Sequence, residues 1–114
     1  LLELLYVAGN GNLKDHKILI DDKKAATVFL VSGGYPEQYE KNKEIFGLDS
    51  VIDSLVFHAG AKYEDGKVKT NGGRVIAITS IGNSVEEALE KSYKSIKKIN
   101  FEKMNYRKDI GFDL

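Results

Sequence analysis

The sequence predicts an α+β fold in which a mostly antiparallel sheet packs against helices. An uninterrupted apolar run, rich in β-branched residues, occupies residues 25–31 and is typical of a strand. Asp65-Gly66 separates two further strand-like segments and favours a tight β-hairpin. Apolar residues recur at helical spacing through residues 85–99, which indicates an amphipathic helix. Together these three patterns predict an α+β domain.

The first 24 residues are predicted to be a connecting segment, distinct from a domain that spans residues 25–114. Residues 1–8 read as the tail of an amphipathic helix, which the glycine- and asparagine-rich cluster at residues 9–12 ends. Residues 18–20 are apolar and favour a short edge strand. The run GNGNLK at residues 9–14 lacks the third glycine and the preceding strand of a dinucleotide-binding fingerprint, so no nucleotide site is expected there.

The sheet is predicted to contain four strands, at residues 25–31, 54–60, 67–70 and 74–80. The uninterrupted apolar run at 25–31 predicts a buried strand. The strand at 74–80 is apolar on both faces, and we therefore expect it to be central in the sheet.

The helix predicted at residues 85–99 begins with a capping box made by Ser84 and Glu87. Acidic residues lie in its first turns and lysines in its last turns, as the helix dipole favours. Its charged face is interpreted as solvated, because a nucleic-acid site would need a basic excess and interleaved aromatic residues.

A defined loop is expected where the first strand ends, at Ser32, Gly33, Gly34, Tyr35 and Pro36. The proline disfavours a helical conformation at the preceding residue, so the chain should turn there. Loops at strand ends are frequent ligand sites. A glycine-rich turn that only joins two elements is an equally good interpretation of these residues.

The segment at residues 56–78 contains the residue types of a phosphate pocket. These are His58, Lys62, Asn71, Gly72, Gly73 and Arg74. Adjacent glycines allow backbone N–H groups to approach a ligand, lysine supplies a point charge, and arginine can grip two phosphate oxygens. The alternative is that the glycines serve a turn and that both basic side chains are solvated.

Composition excludes several classes of protein. The 114 residues suffice for one domain, and 17 basic residues balance 17 acidic ones, which does not favour nucleic acid or an anionic membrane as a partner. No apolar run is long enough to span a membrane. Without cysteine, disulfides and thiol chemistry are excluded. Neither His16 nor His58 has a partner at metal-ligand spacing, so no metal site is predicted. The spacing supports no Ser-His-Asp or paired-carboxylate arrangement either, so no catalytic residue is predicted. A cytoplasmic location is expected.

Four separated blocks of the sequence resemble the C-terminal domain of glycinamide ribonucleotide synthetases. They are SGGYPEQYEKNKEI, VFHAGAK, TNGGRVIAITSIGNSVEEALEKSY and INFEKMNYRKDIG. The blocks occur in the family's order and cover nearly the whole chain. The resemblance implies the C-terminal domain of an ATP-grasp ligase, of the rudiment hybrid-motif type.

The family's reaction joins glycine to 5-phosphoribosylamine in de novo purine biosynthesis, with ATP hydrolysed to ADP and phosphate. The resemblance implies that ATP and Mg²⁺ are bound by upstream ATP-grasp domains of the same chain, and that no cofactor is bound by this segment. The chain starts without methionine in a predicted helix, and we expect it to be a fragment that is inactive alone.

The resemblance also implies roles for the candidate residues. Lys62 and Arg74 match the positions of a basic pair that holds the ribose 5-phosphate in related enzymes, and His58 and residues 71–73 would line the same site. The loop at residues 32–36 would act in domain contact or substrate closure. For Arg107 and Asp109, a structural ion pair or a domain-interface clamp is as plausible as substrate contact.

Three departures from the family pattern affect the expected substrate contacts but not the fold. Ala61 stands where a threonine is usual, Asn42 stands where a glycine is common, and residues 111–114 replace small or basic residues. A second function class stays open, namely a noncatalytic phosphate-binding or interaction module, free-standing or attached to another ATP-grasp ligase. An R-x-G-D-P-E-like segment encoded upstream of Leu1 would favour the ligase over the module.

Overall fold

Five strands and two α-helices form the part of the chain that this computed structural model describes, residues 1–112. The elements in chain order are α1 (Leu2–Gly9), β1 (Lys24–Val31), β2 (Leu55–His58), β3 (Ala61–Glu64), β4 (Lys67–Thr70), β5 (Arg74–Gly82) and α2 (Val85–Ile96). Short 3₁₀ turns occur at Leu13–Asp15 and Leu48–Ser50. All the strand pairs within the sheets are antiparallel, so the predicted α+β class is confirmed.

The main sheet has three strands in the order β1-β5-β2, with β5 in the centre as predicted. Val75, Ile76, Ala77 and Ile78 are all buried, which accounts for a strand that is apolar on both faces. Val28 of β1 and Val56 of β2 both pair with Ile78 of β5. A central strand is flanked on both sides by the side chains of neighbouring strands, as Ala77 is by Phe29 and Phe57, so the continuous apolar pattern of β5 is consistent with its central position.

The prediction that residues 67–70 join the same sheet is wrong. Strand β4 pairs with β3 in a separate two-stranded sheet, closed by Asp65 and Gly66 with φ of 53° and 75°. Positive φ at both loop residues is the geometry of a type I′ hairpin. The other edge of β4 is occupied by an upstream segment, since Asn42 N–H donates to Thr70 O (2.7 Å) and Ile45 N–H donates to Val68 O (2.9 Å). Both edges of β4 are therefore hydrogen-bonded to segments other than β5, namely β3 and the segment at residues 42–45.

Strand β1 lies at an edge of the sheet and is covered on one face only, which corrects the prediction of a fully buried strand. Val28 and Leu30 are inaccessible, whereas Thr27 between them is exposed and Phe29 is half-buried. An apolar β-branched run indicates a strand but does not reveal how many of its faces are covered.

Helix α2 packs on one face of β1 and β5, and hydroxyl groups mediate part of that contact. Ser92 Oγ donates to Ser80 Oγ (2.9 Å), and Ser54 Oγ lies 2.7 Å from the Oγ atoms of both Ser80 and Ser95. Ser80, Ser92 and Ser95 are buried, and each has a hydrogen-bond partner. The sequence pattern that predicted this helix considers apolar residues only. It therefore did not predict that serine side chains would form part of the contact with the sheet.

Helix α2 ends at Ile96 rather than at residue 99 as predicted. Lys98 and Ile99 donate to Ser95 O and Ile96 O in a tightened turn, both at 3.0 Å. The chain then pairs antiparallel with Phe46 through Asn100, and Ile99 enters the core. Pairing with this distant backbone segment competes with the last helical turn and replaces it.

The start of α2 is as predicted, with one change in its capping box. Ser84 Oγ accepts from Glu87 N–H (3.2 Å), but the Glu87 carboxylate accepts from Asn83 N–H (2.7 Å), one residue before the expected donor. Lys91 Nζ also donates to Glu87 (2.7 Å). The hydrogen bond from Lys91, followed by that from Asn83, holds the pKa of Glu87 below its ordinary value of 4.5.

We expect Glu87→Gln to make the free energy of unfolding depend less on pH in the acidic range, below about pH 4.5. Because the pKa of Glu87 is lower in the folded state, its stabilising contribution is present above pH 4.5 and is lost as the pH falls below that value through the folded pKa. Urea unfolding at a series of pH values measures the effect. Glu90→Gln is the matched control, since Glu90 forms no ion pair within residues 1–112. Parallel pH profiles for wild type and Glu87→Gln would contradict this prediction.

At the N-terminus, the predicted helix is confirmed as α1, but the edge strand predicted at residues 18–20 is wrong. Residues 16–20 have no assigned secondary structure, and Leu19 and Ile20 are more than four-fifths exposed, at 84% and 87%. An edge strand requires a backbone partner, and within the described residues this segment pairs with none.

The sheet face that α2 does not cover is called the open face here. Alternate residues of the three strands share it, as the hydrogen bond of 2.8 Å between Thr27 Oγ1 and Thr79 Oγ1 of the paired strand shows. Its side chains are those of Ala25, Thr27, Phe29, Leu55, Phe57, Ala77, Thr79 and Ile81.

Candidate functional site

A pocket of about 440 Å³ opens at one end of the open face. Strand β1, the loop after it and the start of β5 form one side, and the segment at residues 105–110 forms the other. The lining residues are Thr27, Phe29, Val31, Tyr35, Pro36, Arg74, Asn105, Tyr106, Arg107 and Ile110. Mainly apolar walls with few polar groups are typical of small-molecule sites.

Backbone hydrogen bonds bring three distant segments together at this pocket. Ser32, which is buried, donates through its N–H to Gly73 O (2.8 Å) and through Oγ to Gly72 O (2.9 Å). Val31 and Asn105 exchange hydrogen bonds of 2.8 and 3.0 Å. The loop at residues 32–36 therefore emerges from a strand end, as predicted, and it lies against the glycine pair.

The glycine pair is packed against protein rather than left open for a ligand. A Cβ added at Gly73 would overlap the ring of Tyr35, and a Cβ added at Gly60 would lie 2.8 Å from the Cα of Gly72. Neither Gly72 nor Gly73 has a positive φ. The absence of side chains here permits close approach of the loop at 32–36 and of residue 60.

Arg74 is the predicted phosphate-site residue that lines the pocket. Its side chain is exposed, and its guanidinium carbon lies 5.4 Å from the centre of the Phe29 ring, within cation–π range. It forms no ion pair with an acidic side chain among residues 1–112. An arginine held against an aromatic ring and lacking a carboxylate partner is available to bind an anion.

Lys62 lies on β3 and is not among the residues that line this pocket. Its Nζ forms an ion pair with Glu64 Oε1 at 2.9 Å, and Glu64 also pairs with Lys69 at 3.0 Å. The Lys62 hydrogen bond, followed by that of Lys69, holds the pKa of Glu64 below its ordinary value. In this structure the charge of Lys62 is thus partly balanced by a carboxylate.

His58 and Asn71 lie near the glycine pair but outside the pocket lining. His58 is exposed at the end of β2, opposite Ile76, and Asn71 N–H donates to Gly60 O at 2.7 Å. Gly60 N–H in turn donates to Arg74 O at 2.7 Å. The structure therefore brings residues 58–60 and 71–74 together in the backbone.

Arg107 and Asp109 form a bidentate ion pair with two hydrogen bonds of 2.9 Å. The Arg107 hydrogen bonds hold the pKa of Asp109 below its ordinary value. Of the alternatives left open by the sequence, the ion pair is therefore present, and Arg107 also lines the pocket. The family departures at residues 113 and 114 lie outside the described residues.

Sequence reasoning missed two of the pocket's apolar walls, Phe29 and Ile110. Both are ordinary core-forming residue types, and nothing in their spacing signals a ligand. Phe29 in particular reads as one more residue of a buried strand, because the pattern does not show that its side of β1 faces a cavity.

No group of three His, Cys, Asp or Glu side chains within residues 1–112 is placed to hold a metal ion. The described part of the chain therefore holds no such site for Mg²⁺, and no step of the chemistry is assigned to a metal here. Within the same range, no helix is long and apolar enough to cross a membrane.

Comparison with known proteins gives consistent matches. The sequence model of the family described as "Phosphoribosylglycinamide synthetase, C domain" matches residues 25–113. A phosphoribosylamine-glycine ligase of Caldanaerobacter subterraneus subsp. tengcongensis is 47% identical over 110 residues, which cover 96% of this chain and 26% of that protein. A bifunctional purine biosynthetic protein of Schizosaccharomyces pombe is 42% identical over 113 residues, covering 97% of this chain and 14% of that protein.

A solved structure agrees with the fold. The crystal structure of a phosphoribosylamine-glycine ligase from Thermotoga maritima matches with a TM-score of 0.68 and 42% sequence identity, over 75% of this chain and 21% of that one. The chain spans about a quarter of the length of the bacterial ligases that it matches.

Proposed function

Because the chain belongs to the phosphoribosylglycinamide synthetase C-domain family, we propose that it forms the C-terminal domain of a phosphoribosylamine-glycine ligase. The parent enzyme would join glycine to 5-phosphoribosylamine in purine biosynthesis, with ATP hydrolysed to ADP and phosphate. The family match over residues 25–113 carries this proposal. ATP and Mg²⁺ would be bound by other domains of the same polypeptide, in the cytoplasm.

Within that enzyme the domain would anchor the ribose 5-phosphate of the amine substrate. Arg74 supports this role, because it is exposed at a pocket, lies against Phe29 and has no acidic partner in residues 1–112. A guanidinium can donate two parallel hydrogen bonds to a phosphate.

Lys62 would supply the second positive charge, and His58 and Asn71 would border the same site, to which Gly72 and Gly73 would contribute by allowing residues 32–36 and residue 60 to pack closely. For this the ion pair between Lys62 and Glu64 must open, so that the phosphate dianion replaces the carboxylate. The pair is half-exposed, with side-chain exposures of 32% and 44%, and such pairs contribute little to stability. Exchange of one anionic partner for another is therefore a small energetic step.

The role of these residues would be binding rather than bond making. Anchoring the phosphate uses binding energy remote from the reacting atoms to place the amine against an acyl phosphate formed elsewhere in the enzyme. The loop at residues 32–36 would contribute to closure, because its backbone is tied to Gly72 and Gly73 and its Tyr35 and Pro36 form part of the pocket wall.

An NMR titration of this chain with ribose 5-phosphate tests the proposal. We expect shifts in residues 58–62 and 71–74 and in the pocket wall around Phe29, Tyr35 and Arg107, and their loss in a Lys62→Ala, Arg74→Ala double variant. Lys94→Ala, on the exposed face of α2, is the control and should bind like the wild type. No shifts at about millimolar ligand, the weak end of specific binding, would exclude a phosphate anchor that resides in this domain alone.

A further inference from the structure

The side of the sheet on which Arg74 lies is set by an irregularity in the pairing of β1 with β5. Leu30 of β1 pairs with Ile76 of β5. The next residue of β1, Val31, pairs with Arg74, which leaves Val75 as an extra residue on β5. One extra residue in one strand of a pair is a β-bulge, and bulges are frequent next to functional sites, where they re-aim a side chain.

The bulge moves Arg74 from one face of the sheet to the other. Side chains alternate along a strand, so an unbroken β5 would place Arg74 on the same side as Ser80, which contacts Ser92 of α2. With the bulge, Arg74 stands opposite Val31, which lines the pocket. The guanidinium is therefore on the pocket side of the sheet rather than on the side that α2 covers.

The ring of Phe29 supports the guanidinium on the pocket side. Arg74 Cζ lies 5.4 Å from the centre of that ring, and both residues line the pocket. A planar guanidinium can contact a ring with one face and still donate N–H groups in its own plane to an anion. An exposed arginine without such a contact samples many rotamers and loses that freedom when it binds. The ring therefore reduces the entropy that Arg74 loses on binding an anion.

We propose that Phe29 is a positioning residue for phosphate recognition, which holds the Arg74 guanidinium in the orientation that binds ribose 5-phosphate. This inference rests on the proposed function, since it requires Arg74 to bind the phosphate. The bulge places the arginine on the pocket side, and the ring limits the conformations that are available to it there. Phe29 acts through Arg74 and does not itself contact the phosphate.

Equilibrium titration of the full-length ligase with ribose 5-phosphate tests this role. Phe29→Leu keeps an apolar side chain but removes the ring, and we expect binding about 2- to 5-fold weaker, the scale of an exposed cation–π contact. Phe29→Met is a second variant without a ring and should behave like Phe29→Leu. Phe29→Tyr keeps the ring and should bind like the wild type. Urea unfolding checks that each variant is folded.

Two comparisons separate positioning from a general structural effect. In an Arg74→Ala background, Phe29→Leu should cause no further loss of affinity, because the ring then has no guanidinium to hold. Phe57→Leu is the matched control, since Phe57 pairs with Ala77 from the opposite neighbouring strand, as Phe29 does from β1, but does not line the pocket. Its affinity should equal that of the wild type.

Wild-type affinity in both variants without a ring, alongside weakened binding in Arg74→Ala, would overturn the inference and leave the proposed function standing. An equal loss for Phe29→Leu in the wild-type and Arg74→Ala backgrounds would also contradict it, because the effect would not pass through Arg74. Wild-type affinity in Arg74→Ala would remove the proposed phosphate role of Arg74, and this inference with it.

Discussion

Replacing Arg74 with alanine is expected to weaken the binding of ribose 5-phosphate to this domain by about 10- to 150-fold. Loss of a charged hydrogen bond costs about 1.5–3 kcal/mol, and each 1.4 kcal/mol corresponds to a tenfold change in affinity. In the full-length ligase the same change should lower kcat as well as raise KM for the amine substrate, because the binding energy of the remote phosphate is used to position the reacting amine. Steady-state kinetics and the NMR titration measure the two effects.

Arg74→Lys separates charge from geometry. Lysine keeps the positive charge but cannot donate two parallel hydrogen bonds, so we expect an affinity between those of the wild type and Arg74→Ala. Fold integrity is checked by urea unfolding, which should be nearly unchanged because Arg74 is exposed. Wild-type affinity in Arg74→Ala, with the fold intact, would remove Arg74 from the phosphate site.

Replacing Gly47 with alanine is expected to destabilise the domain by about 2–5 kcal/mol. Gly47 has φ of 82°, a left-handed conformation that costs other residues about 1–2 kcal/mol. A Cβ at this position would also overlap the carbonyl oxygen of Lys98, and such overpacking costs about 1–3 kcal/mol. The strain falls beside the paired residues Phe46 and Asn100, which connect this loop to the end of α2.

Gly66→Ala is the matched control for the backbone effect. Gly66 has a similar φ of 75°, but a Cβ there would meet nothing within 4 Å. Its loss of stability should therefore be limited to the conformational cost of about 1–2 kcal/mol. Urea unfolding of both variants measures the difference, and an equal loss would show that the contact with Lys98 relaxes without cost.

The elements with strong local signals were predictable from sequence. The type I′ turn at Asp65-Gly66, the start of α2 at Ser84 and the central position of β5 each follow from a few neighbouring residues, and each is present in the structure. The wrong predictions concern which segments pair as strands and where a helix ends. Residues 18–20 are apolar but find no strand partner within the described residues, and α2 ends at Ile96 because Asn100 pairs with Phe46.

The candidate site was predictable in part. The sequence pointed to Arg74 and to the loop at residues 32–36, which the structure places on the same pocket. Phe29 and Ile110 gave no signal, since an apolar side chain beside a cavity looks like any core residue. Lys62 looked equivalent to Arg74 in the sequence, but the structure pairs it with Glu64 outside the pocket lining.

The sequence by itself determined the family, the α+β class and the type of almost every element, because residue types, periodicity and short motifs are local properties. Only the tertiary structure decided that β4 belongs to a separate hairpin, that the glycine pair packs under Tyr35 and that one sheet face stays open. The physical reason is that these features depend on which distant backbone and side-chain groups meet. Long-range hydrogen bonds decide which strand edges are paired, and packing decides which sheet faces are covered. No local pattern of residues encodes either outcome.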